Sequence, residues 1–211
     1  MKNLNKRVVA GAAVAGAALI AVTGATAGVA EAKSLPGASK SRSFDGGSVN
    51  IRLYDESARI TRAVTNIQTS REVWVSGKVR VTTSGDVKGG NINVGYLVGC
   101  QVNFGAEGSG GAGLEVDNAG EGTPSASVGG GFELSPGEAA YVPVIKTTID
   151  DEAVNSFNFG NARGGVAYSQ ERFGVDGCAG YASAMAKVTV KVSTDTFKGN
   201  ITMYGKPFSL G

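Results

Sequence analysis

The sequence predicts an all-β protein, a β-sandwich interrupted by one long inserted β-hairpin. Two observations carry that prediction. Apolar residues recur at every second position in stretch after stretch, the period of a strand with one packed face. Glycine supplies 33 of the 211 residues against only 5 prolines, yet the glycine-rich middle keeps the same two-residue beat. A hydrophobic content of 42% is also too high for a disordered chain.

In chain order, residues 1–32 read as a secretory signal rather than as part of the fold. Lys2, Lys6 and Arg7 make a basic start, "VVAGAAVAGAALIAVTGATAGVA" an uncharged middle, and Ala30-Glu31-Ala32 a small-x-small end. The alternative is an uncleaved anchor, but the alanine and glycine of the middle are weakly hydrophobic for a permanent span. Cleavage is expected after Ala32, with Ala27 as second choice. It leaves 17 basic and 17 acidic residues, a net charge near zero.

The exported part is strand after strand. "SVNIRLYD" sets Val49, Ile51 and Leu53 against Asn50, Arg52 and Tyr54. "REVWVSGKVRVTTSGD" puts Val73, Val75, Val79 and Val81 on one face, and Glu72, Trp74, Lys78 and Arg80 on the other. "SAMAKVTVKVSTDTF" opposes Ala184, Ala186, Val188, Val190 and Val192 to Lys187, Thr189 and Lys191. Such alternation marks antiparallel sheet with one side packed. Turns are expected at "DGG" (45–47), "SGD" (84–86), "KGG" (88–90) and "KGN" (198–200). Only 54–68 offers spacing compatible with a helical turn. The sandwich is therefore expected over 33–105 and 133–211, with the hairpin over 106–132.

Parity defines the hairpin. Even positions from Val94 through Tyr96, Val98, Cys100, Val102 and Phe104 to Leu114 and Val116 are apolar or small. Apart from Leu97, odd positions are polar, glycine or acidic, and every charge falls there. The return arm keeps the beat through Ala126, Val128, Phe132 and Leu134, and "DNAGEGTP" (117–124) is the turn. Each arm has about the 9–11 residues that a tilted strand needs to cross a bilayer. A single hairpin in lipid would leave unpaired backbone groups along both edges, at several kcal/mol each. Closure by hairpins from several chains removes the edges, so the hairpin is expected to form part of an oligomeric transmembrane β-barrel. The odd face then lines the lumen, and Glu107, Glu115, Asp117, Glu121 and Glu133 become pore-lining rings of acid that favour cations.

Composition narrows the chemistry. There is no histidine, which removes the commonest general base and the commonest metal ligand. Neither a nucleophile elbow nor a metal-ligand spacing occurs, and Asp150-Asp151-Glu152 reads as a solvated turn. No enzyme, cofactor or metal is expected. The formal charge of +2 carries no basic footprint for nucleic acid. Cys100 and Cys178 are either two buried thiols or, in an exported chain, a disulfide. A bridge would close a long loop, worth about 4–5 kcal/mol in the chain-entropy account.

"INVGYLVGCQV" (92–102), "NARGGVAYSQ" (161–170), "DGCAGYASAMAKVTV" (176–190) and "NITMYGKPFSLG" (200–211) resemble the MspA-type porins of mycobacteria and related actinobacteria. The resemblance implies an exported β-sandwich rim domain that gives one hairpin to the stem of an octameric goblet. It implies a place in the mycolic-acid outer membrane and passive diffusion of small hydrophilic solutes and cations. The partners would be further copies of the chain or a sister subunit. By position, Asp117 and Glu121 are the counterparts of the family's acidic tip, although the adjacent aspartates found there are absent here. A different reading is a secreted, non-channel binding or structural protein of the cell envelope. Such a protein would be a soluble monomer without conductance.

Overall fold

The computed structural model describes residues 32–63, 67–102, 131–149 and 152–211. The expected signal up to residue 31 and the expected hairpin up to residue 130 lie outside them. Among the described residues the fold is all-β, without helix, and forms two large sheets and a small two-stranded one.

The strands are β1 (Lys33–Ser34), β2 (Ala38–Phe44), β3 (Gly47–Arg62), β4 (Arg71–Gly85), β5 (Gly90–Cys100), β6 (Gly131–Glu133) and β7 (Ala139–Pro143). They continue with β8 (Thr147–Ile149), β9 (Glu152–Val154), β10 (Ser156–Phe159), β11 (Arg163–Asp176), β12 (Ala182–Ser193), β13 (Lys198–Tyr204) and β14 (Phe208–Ser209). The first sheet runs β1-β3-β4-β11-β6, with β2 on the same edge of β3 as β1. The second runs β10-β5-β12-β13, with β7 continuing the β10 edge and β14 continuing the β13 edge. Pairing is antiparallel except between β11 and β6. Strands β8 and β9 pair with each other.

The alternating valines do what their spacing predicts. Val49, Ile51, Leu53, Val73, Val75, Val79 and Val81 of the first sheet are buried. They form one core with Ile92, Val94, Tyr96 and Val98 of β5 and Ala184, Ala186, Val188 and Val190 of β12. Removing such side chains from water is the main force holding the two sheets together.

Two details differ from the expectation. The stretch 54–68 holds no helical turn, because β3 continues to Arg62. A bulge lies between Tyr54 and Ser57, with Asp55 at φ 52°, and it shifts the strand's phase by one residue. Inward positions pass from Val49, Ile51 and Leu53 to Glu56 and Ala58, and the three-residue step across the bulge mimics a helical spacing. The turn expected at 198–200 lies instead before Lys198, where the Thr194 hydroxyl accepts the Thr196 and Phe197 amides. The Phe197 ring then stacks on Phe44 at 4.5 Å.

The bulge places an acid in the core. Glu56 is 1% exposed, and its Oε1 accepts the Tyr96 hydroxyl at 3.0 Å. With its proton committed there, Tyr96 accepts from the Tyr168 hydroxyl at 2.9 Å. Oε2 of Glu56 has no partner among the described residues. Burial is the dominant influence on this carboxyl and raises it from 4.5 to about 7, with the Tyr96 hydrogen bond pulling the other way. Tyr168 reaches its position through a second bulge in β11, where Gln170 has φ 57°. Gly77 of β4 makes room for it, since a Cβ there would lie 2.5 Å from the Tyr168 hydroxyl.

Candidate pore-forming site

The expected pore-lining acids Glu107, Glu115, Asp117 and Glu121 lie outside the described residues, and Glu133 lies within them. What the structure displays is the root from which the segment 103–130 leaves and to which it returns.

The departing chain comes from the second sheet. Strand β5 is paired on both sides, with β12 on one edge and β7 on the other, up to its last two residues. Gln101 then adopts φ 57° and turns the chain out of the sheet. Its amide donates to the Tyr181 carbonyl at 2.6 Å, and the Ser183 hydroxyl donates to the Val102 carbonyl at 2.8 Å. The last residues before the segment are thus held by backbone and side chain.

The returning chain arrives on the first sheet. Strand β6 pairs in parallel with the end of β11, setting Glu133 beside Asp176. The Leu134 amide donates to the Asp176 carbonyl at 3.0 Å, and the Leu134 side chain is buried. Residues 135–138 then turn, with Gly137 at φ 87°, and the chain crosses to the second sheet as β7. Across that turn the Cys100 amide donates to the Glu138 carbonyl, and the Gly137 amide to the Cys100 carbonyl.

A disulfide joins Cys100, at the end of β5, to Cys178, just beyond β11, with Cα atoms 5.6 Å apart. It is buried and ties one sheet to the other beneath the inserted segment. Arg71 holds the loop behind it, donating to the carbonyls of Cys178 and Gly180 at 2.8 Å each. The disulfide is one of the two states that the sequence left open for these cysteines, whereas the role of Arg71 escapes a reading by alternation. Arg71 lies at the start of a strand, and its carbonyl partners lie more than 100 positions away in the chain.

Glu133 is exposed at this root, so the one described member of the acid set faces solvent. Asp176, its neighbour across the parallel pair, was not singled out from the sequence, because nothing in the spacing links β6 to β11. The root is a rigid anchor for an excursion of the chain, with acid at its base. A comparison with curated proteins finds no match. Residues 45–209 match the MspA family model. That match takes in the second sheet, the first sheet apart from β1 and β2, and the whole excursion between them, and the chain belongs to the MspA family of porins.

Proposed function

We propose that this chain is one subunit of a water-filled ring in the outer membrane, through which small hydrophilic solutes, cations preferentially, diffuse passively. The family is a porin family, which supports a channel in general. The observation that carries the subunit reading is the root. The excursion leaves from one sheet and returns to the other, with a covalent bridge joining the two sheets at its foot. An anchor of that kind fixes the two ends of the segment relative to each other, which a subunit that contributes strands to a shared barrel requires.

The alternation along 93–134 supports a lumen lined by odd positions, with Glu107, Glu115, Asp117, Glu121 and Glu133 as its acids. Rings of carboxylate raise the local concentration of cations and exclude anions without any binding step or energy source. Further copies of the chain, or a sister subunit, complete the ring, and the leader at residues 1–32 directs export. The test is reconstitution of the detergent-purified oligomer in a planar bilayer. Stepwise conductance with a reversal potential on the cation side is expected. A stable monomer that carries no current would overturn the proposal.

A further inference from the structure

The outer face of the first sheet carries a feature that neither sandwich packing nor the inserted segment explains. Arg52 of β3 and Arg80 of β4 are directly opposite each other in the ladder. Like charges in that relation repel. Among the described residues neither guanidinium has a carboxylate partner. Both are instead gathered at one tyrosine, with their Cζ atoms 5.9 and 5.6 Å from the centre of the Tyr54 ring. A ring face attracts cations, so Tyr54 keeps the two side chains together.

The next strand opens a space beside them. On β11 the partner of Arg80 is Gly165, and the partner of Lys78 is Ala167. Where long side chains meet such small ones, a depression of about 240 Å³ forms, lined by Tyr54, Lys78, Arg80, Gly165 and Ala167. Lys78 also holds Asp55 at 3.0 Å, so that acid is already engaged.

We infer that this depression is a binding site for a phosphate-type oxyanion, held by the Arg80 and Lys78 side chains that line it, with Arg52 drawn to its edge by the Tyr54 ring. The planar fork of arginine matches a tetrahedral oxyanion through paired N–H donors, and an anion beside Arg80 offsets its repulsion with Arg52. The volume admits a phosphate with a small organic substituent. The site is independent of the channel reading, because it lies on the sandwich and uses no residue of the inserted segment.

The experiment uses the full-length protein in detergent. Inorganic phosphate is titrated calorimetrically against chloride at constant ionic strength, and Tm is followed in parallel. Saturable binding of one phosphate per chain and a rise in Tm are expected. Affinity should fall at least tenfold in R52Q/R80Q, whose own Tm in chloride should be equal to or above that of the wild type. A167L, which fills the depression and keeps every charge, should weaken binding as well. Glycerol phosphate and a water-soluble short-chain phosphatidylinositol then separate the sources. Equal affinities assign a soluble phosphate, and tighter binding of the lipid assigns a headgroup. A phosphate response no larger than that of chloride would overturn the inference, as would one unchanged in both R52Q/R80Q and A167L.

Discussion

A carboxyl group that is 1% exposed, with one hydroxyl donor and one unpartnered oxygen, is less costly to bury protonated than ionised. This is the situation of Glu56, faced by Tyr96 from β5 and Tyr168 from β11. Its folded value of about 7 stands above its ordinary 4.5, so the sign of the pH dependence follows. Below the lower value both folded and unfolded chains hold the proton. Between the two the unfolded chain releases it first, so stability falls as pH rises, by up to about 3 kcal/mol. Glu56→Gln should abolish that slope. Thermal unfolding between about pH 5 and pH 8.5 should show the variant gaining on the wild type as pH increases. A difference between the two that stays constant over that range would contradict the account. At the same cluster Gly77→Ala should cost about 1–3 kcal/mol, because the new methyl enters the space of the Tyr168 ring end. Chemical denaturation of the two proteins would measure it.

Among the elements, the junction at Cys100 and Cys178 is the most consequential. The bridge spans 78 positions and adds a covalent cross-link between the two sheets. Replacing both cysteines by serine should lower stability by about 4–5 kcal/mol if loop entropy dominates. The effect would be read as a drop in Tm, matched by reduction of the wild type. Strand identity was largely legible from the sequence, because the buried Val73, Val79, Val188 and Val190 alternate with less buried polar neighbours such as Glu72, Lys78, Lys187 and Lys191. Phase was not. Asp55 and Gln170 reach positive φ without being glycine, so neither bulge left a compositional mark. Unbroken alternation from Val49, Ile51 and Leu53 would put Glu56 on the outer face, whereas the bulge rotates it inward beside Tyr96. Lys187 likewise looked solvated. In the structure it is half-buried, 5.5 Å from the centre of the Tyr141 ring, and burial lowers its ammonium pKa. The root was illegible for a different reason. Strand β6 has three residues and pairs with a strand some forty positions later, too short and too distant for periodicity to register. Of the acids assigned to the channel, only Glu133 falls among the described residues, so that assignment rests on parity.

On the scale of the whole molecule, the outer faces of the two sheets differ in character. That of the first sheet carries Arg52, Lys78 and Arg80 in adjacent rungs. That of the second is largely amide and hydroxyl, with Asn91, Asn158, Lys191 and Asn200 in one row and Asn93, Thr189 and Thr202 in the next. The proposed selectivity belongs to the excursion and not to these faces. Replacing Glu107, Glu115, Asp117, Glu121 and Glu133 together by their amides should move the reversal potential under a potassium chloride gradient toward zero or to the anion side. Replacing Arg52 and Arg80 should leave it within error of the wild type. If the amide variant kept its cation preference, the odd positions would not line the water path.

The bridge beneath the excursion also has a history in time. Two thiols in a reducing compartment stay apart, so a newly made chain there lacks the rivet between its layers. The rivet closes only in a compartment where oxidants are present. Until then the chain on either side of residues 103–130 is held without a covalent tie, by hydrogen bonds such as those of Gln101, Ser183 and Leu134.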